Sequence, residues 1–115
     1  RLGKEYAYAF PVSEVIRGEE DEDVVNTLTL LFDNVANGKD LDNTIKQLEE
    51  LWALAQSDTY NGYTTYEPYI GWNLAVAYLQ NYDKKKARVV LEQMQANYPT
   101  GTAFGDKIAE LLKKL

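Results

Sequence analysis

The sequence predicts an all-α fold of antiparallel helical hairpins stacked in a short array, and three observations predict it. Apolar residues recur at helical steps in five stretches, the breaks between most of those stretches are short runs of turn residues, and the spacing of one hairpin returns in the next. Trp72 to Pro99, WNLAVAYLQNYDKKKARVVLEQMQANYP, shows this most plainly. Leu74, Ala75 and Tyr78 share one helical face, and after the break at Asn81 to Asp83, Ala87, Leu91 and Met94 share another. A lone hairpin cannot bury both stripes, so it needs neighbours of its own kind.

In chain order, residues 1–22 read as an extended N-terminal arm. Tyr6, Tyr8, Phe10 and Val12 alternate, Val15 and Ile16 follow, and Pro11 interrupts any helix. Such an arm either packs over the first helices and caps the array or offers a strand to a partner. Glu19 to Asp23 form an acidic run just before an apolar-periodic stretch, where negative charge suits a helix N-terminus; the spacing and glycine of a calcium loop are missing. From 23 to 37, Leu28, Leu31, Phe32 and Val35 form a buried stripe, which Asn37 and Gly38 end. Asp40 is placed to cap a second helix, in which Leu41, Ile45, Leu48, Trp52 and Ala55 align and Leu51 widens the stripe. Residues 57–68, SDTYNGYTTYEP, read as a long loop turning at Asn61 and Gly62. The second hairpin runs from about Glu67 to Asn97 with Asp83 as a cap. Pro99 and Gly101 precede a last helix, about 102–115, with Phe104, Ile108, Leu111, Leu112 and Leu115 on one face.

Length and composition bound the rest. At 115 residues the chain is one domain, and since it starts at Arg1 rather than Met we expect a piece of a longer protein, with a signal or anchor possible before Arg1. No run of 18 apolar residues exists, so this segment is not expected to insert into a membrane. Twelve basic against 18 acidic side chains, net −6, argue against nucleic acid as a partner. Cysteine and histidine are both absent, which removes disulfides, thiolate ligands and the usual general base. With Ser13 and Ser57 the only serines, no phosphate-cradling loop and no carboxylate pair singled out, neither an enzyme nor a cofactor is expected.

The internal repeat is specific. Leu28, Leu31, Phe32 and Val35 have the spacing of Gly71, Leu74, Ala75 and Tyr78, and again of Gly105, Ile108, Ala109 and Leu112; Thr44, Leu48 and Leu51 match Ala87, Leu91 and Met94. The chain therefore resembles the tetratricopeptide repeat, a helix-turn-helix unit of 34 residues. Asn73, Leu74, Ala75, Ala77, Tyr78, Asp83, Ala87, Leu91 and Pro99 sit where the family pattern wants these or similar residues. Tyr82 departs at a usual turn glycine, Gly71 at a common tryptophan, and Met94 at a small residue; the first unit also departs at Phe32 and Thr44. The resemblance implies a right-handed array of about five helices over residues 23–115, with units at about 25–58 and 68–101 and a capping helix. Its wider arrangement is similar to C-terminal domains of bacterial single-pass membrane proteins, which implies a membrane-anchored, periplasmic domain; a cytoplasmic one is the alternative.

By the same resemblance, the first helices of successive units line a concave groove. One wall would be Asn26, Thr29, Asp33 and Asn37, the other Tyr69, Trp72, Asn73, Val76 and Gln80. None is basic, which argues against a carboxylate clamp and suits an extended backbone or apolar side chains. Tyr60, Tyr63, Tyr66, Tyr69 and Trp72 recur every third residue. They are either core or a ligand platform, though steps of three drift by about 60° around a helix. Lys84, Lys85, Lys86 and Arg88 crowd a helix start against the macrodipole, as solvated cations or a site for an anionic partner. The expected function is a non-catalytic protein–protein interaction scaffold that binds a peptide or partner protein through its groove. Carbohydrate or small-ligand binding at 60–72, and a structural module forming a homo-oligomer, are the alternatives.

Overall fold

Asp21 opens the longest helix by accepting hydrogen bonds at its side chain from the backbone N–H of Asp23, at 2.8 Å, and of Val24, at 3.4 Å. The computed structural model describes residues 2–7, 10 and 21–115, and all the regular elements among them are helical. They are α1 (Leu2–Tyr6), α2 (Glu22–Asn37), α3 (Leu41–Ala55), a 3-10 turn (Thr64–Tyr66), α4 (Glu67–Gln80), α5 (Lys84–Gln95) and α6 (Ala103–Lys113). Several of the helix ends have a local cause in the sequence. Gly38, at φ 64°, takes the left-handed conformation that closes α2 and returns its N–H to the Val35 carbonyl. Asp83 caps α5 by accepting from Lys86 N–H at 3.1 Å, and Thr102 caps α6 by accepting from Gly105 N–H at 2.9 Å.

Asp40 corrects one expectation. It stands at the start of α3, but with φ 50° its side chain makes no cap; the carboxylate accepts instead from the Asn43 amide at 3.2 Å.

The stripes converge on one core. Leu28, Leu31, Phe32 and Val35 of α2, Ile45, Leu48 and Trp52 of α3, Leu91 and Met94 of α5, and Ile108 and Leu111 of α6 are all buried. At their centre lies α4, buried continuously from Ile70 to Leu79, on all sides rather than along one stripe. It packs against α1, α2, α3 and α5. That placement needs Gly71, because a Cβ there would come 2.7 Å from Cη2 of Trp52.

The N-terminal arm departs from expectation in its described part. Leu2–Tyr6 is a short helix, not an extended strand, and it packs against α4. Tyr6 and Phe10, which alternation placed on one side of a strand, both meet Trp72 as residues four apart. Tyr8, Pro11, Val12, Val15, Ile16, Glu19 and Glu20 lie outside the described residues.

Candidate functional site

Of the α4 residues expected to line a groove, Tyr69, Trp72 and Gln80 lie against the chain's own N-terminal segment. Trp72 is 1% exposed, Val76 is 0% and Asn73 is 5%, so these three are core rather than open wall. The Trp72 indole N–H donates to the Tyr6 carbonyl at 3.4 Å, and the Tyr6 ring meets Trp72 edge-on with centroids 6.2 Å apart. Phe10 stacks on Phe104 at 4.1 Å and meets Trp72 at 5.2 Å and Tyr69 at 6.0 Å, both edge-on. Tyr98 adds a tilted contact to Phe104 at 5.6 Å. Six aromatic residues from α1, its following turn, α4, α6 and the α5–α6 loop thus form one cluster; edge-on and offset rings are the favoured arrangement. The other α4 residues named from the sequence are tied down as well. The Asn73 amide donates to the Tyr69 carbonyl at 2.9 Å, and the Gln80 amide donates to the Val35 carbonyl at 2.9 Å, bridging α4 to α2.

A polar rim surrounds the seat of α1. The Tyr6 hydroxyl donates to the Glu110 carboxylate, and Lys114 pairs with Glu5 at 3.5 Å while its ammonium lies 5.1 Å from the centre of the Tyr6 ring. Burial, then the hydrogen bond to Glu110, raises the Tyr6 phenol above its ordinary range. The hydrogen bond from Tyr6 holds the Glu110 carboxyl below its ordinary value, and the contact with Tyr6 raises Lys114. Two further phenol–carboxylate pairs join neighbouring elements: Tyr78 donates to Glu49, and Tyr98 donates to Glu67 at 3.2 Å. Burial first and Glu67 second push Tyr98 up to about 12, and Tyr78 is raised by burial and then by Glu49.

The other expected wall, on α2, is open. Asn26, Thr29, Asp33 and Asn37 are exposed, and Asn37 bonds back within its helix to the Asp33 carbonyl at 2.9 Å. A shallow hollow of about 380 Å³ lies along Asn26, Thr29, Leu30 and Asp33, with Leu30 left 60% exposed among polar neighbours. The two walls therefore differ, one filled and one free.

The tyrosine stretch is divided between surface and core. Tyr60 is exposed and shares a 2.9 Å hydrogen bond with Thr65, Tyr63 is half-buried against the core, and Tyr66 is buried. At the basic tip Lys84 and Lys85 are exposed and Arg88 is half-buried; Lys86 is held 5.8 Å from the centre of the Tyr78 ring. Sequence reasoning missed Glu110 of α6 and Lys114 just after it, which meet α1. The signal was faint: both face away from the α6 apolar stripe, and their partners lie over a hundred residues earlier.

Comparison with family models, with curated proteins and with solved structures finds no match to this chain. Among the described residues, no helix is long and apolar enough to cross a membrane.

Proposed function

We propose that this chain is a non-catalytic interaction module of tetratricopeptide-like build, whose concave face on α2, α4 and α6 binds a segment of a partner protein. The observation that carries the reading is the seat of α1: residues assigned to the groove from the repeat pattern, Tyr69, Trp72 and Gln80, are the ones the N-terminal segment lies against. A surface that holds one short segment through aromatic contacts has the chemistry to hold another. The open α2 wall, with Leu30 between Asn26, Thr29 and Asp33, supplies adjoining free surface. The resemblance to anchored bacterial domains supports a periplasmic placement.

Photo-crosslinking tests this directly. With benzoyl-phenylalanine in place of Leu30, a discrete product with one protein of the source cells is expected. The same group in place of Val89, 51% exposed on α5, should give none. A Leu30→Asp chain that keeps its circular dichroism should lose the partner in a pull-down. Identical products from both positions, or none from either, would contradict the reading.

A further inference from the structure

The occupant of the groove states the chemistry the groove accepts. A five-residue helix such as α1 does not hold its shape in water, so the groove supplies that shape. Two aromatic side chains four positions apart, Tyr6 and Phe10, anchor the segment against Trp72, Tyr69 and Phe104. Gly3, three residues before the first anchor, lets the backbone lie close to α4, since a Cβ there would come 2.8 Å from the Gln80 nitrogen. Glu5, immediately before that anchor, meets Lys114, and the Tyr6 hydroxyl meets Glu110. Aromatic anchors at the centre and charged contacts at the rim are the usual layout of a protein-recognition site, the rim setting orientation more than affinity.

We propose that the α4–α6 groove is a site for a partner segment of this kind: a short helical turn that ends on an aromatic residue, a second aromatic residue four positions on, an acidic residue just before the first and a small residue three before it. On this reading α1 is the chain's own copy of that ligand, and a partner must displace it. The inference rests on the interaction reading above. Tethering gives α1 an effective concentration of roughly millimolar, so a free ligand of modest affinity meets a filled groove. Its apparent affinity falls by the fraction of chains that are open.

The test uses the full chain and a fluorescein-labelled peptide of residues 2–10, LGKEYAYAF, followed by anisotropy. The wild-type chain is expected to bind it weakly. Tyr6→Ala/Phe10→Ala, which dislodges α1 and leaves α4 and α6 unchanged, should bind it at least tenfold more tightly. Gly3→Leu, which drives the arm off Gln80 while every anchor and groove residue is itself kept, should do the same. A peptide with the anchors Tyr6 and Phe10 replaced by alanine should bind none of the three chains. Equal affinity for wild type and both variants, or binding that ignores the peptide's aromatic residues, would overturn the proposal. So would loss of the helical circular dichroism signal in both variants, because α1 would then be an integral part of the core. A Leu30-dependent partner found alongside any of these results would leave the broader interaction reading standing and remove only this one.

Discussion

Alanine at position 71 would place its Cβ 2.7 Å from Cη2 of Trp52 and 3.0 Å from the Met94 sulfur, so the core would have to move. Gly71→Ala should destabilise the fold by about 1–3 kcal/mol, the range for overpacking a dense interior, read as a lower urea midpoint with an unchanged slope. The sequence marked Gly71 as a departure from the repeat pattern but offered no cause; the cause is the indole of Trp52 lying across it. Trp72 teaches the converse. Its position in the repeat pointed to an open wall, and nothing within its own helix told that the covering side chains come from residues 6 and 10. Leu30 was equally silent, since an apolar residue off the buried stripe carries no period of its own. At this scale, helical phase reveals which side chains share a face, while the identity of what lies against that face is a tertiary fact.

Helix boundaries were legible because they depend on neighbouring residues. The stop at Gly38, the cap at Asp83 and the stripes of α2, α3, α5 and α6 follow from local chemistry; the cap at Thr102 does too, though it was not read from the sequence. Asp40 and Asp83 separate a true cap from a false one. Asp83→Ala should cost about 0.5–2 kcal/mol through loss of the bond from Lys86 N–H. Asp40→Gly should leave stability unchanged or raise it by up to about 1 kcal/mol, since glycine takes φ 50° without the penalty a side chain incurs. Paired thermal melts check both. The helix α1 was not legible, because five residues have too few turns to display a period and the alternation of aromatics imitated a strand. Its docking carries a pH signature. Glu110 is lowered by Tyr6, so its contribution is complete above the ordinary value of 4.5 and is lost as pH falls through the lowered one. Tyr6, raised by burial and by Glu110, contributes fully below 10.0 and loses that contribution as pH rises through its raised value; Lys114, also raised, acts in the same sense. Amide exchange in residues 2–7 should therefore be slowest, relative to an unstructured peptide, between about pH 5 and 10. Protection should fall on either side, the aromatic contacts keeping part of it; protection that does not change with pH would exclude this linkage.

Across the whole molecule, the radius of gyration is 13.1 Å with extents of 36 × 31 × 23 Å, close to the roughly 13 Å expected of a globule this long. The cluster around Trp72 and Phe104, together with Tyr6–Glu110 and Glu5–Lys114, ties the N-terminal segment to the last helix. A repeat array read only from its units would have open ends, and the units alone did not reveal this closure. The all-α class was visible in the spacing; the covering of Trp72 arises from contacts with residues more than sixty positions earlier in the chain, which no local pattern encodes. The most direct measurement is acrylamide quenching of Trp72 in a Trp52→Phe background. With α1 in place, Trp72 should be nearly shielded, and Tyr6→Ala/Phe10→Ala should raise its quenching constant several-fold and shift its emission to the red while the helical circular dichroism is kept. Equal quenching in the two chains would mean that α1 does not cover Trp72, and the account of a self-filled groove would fail.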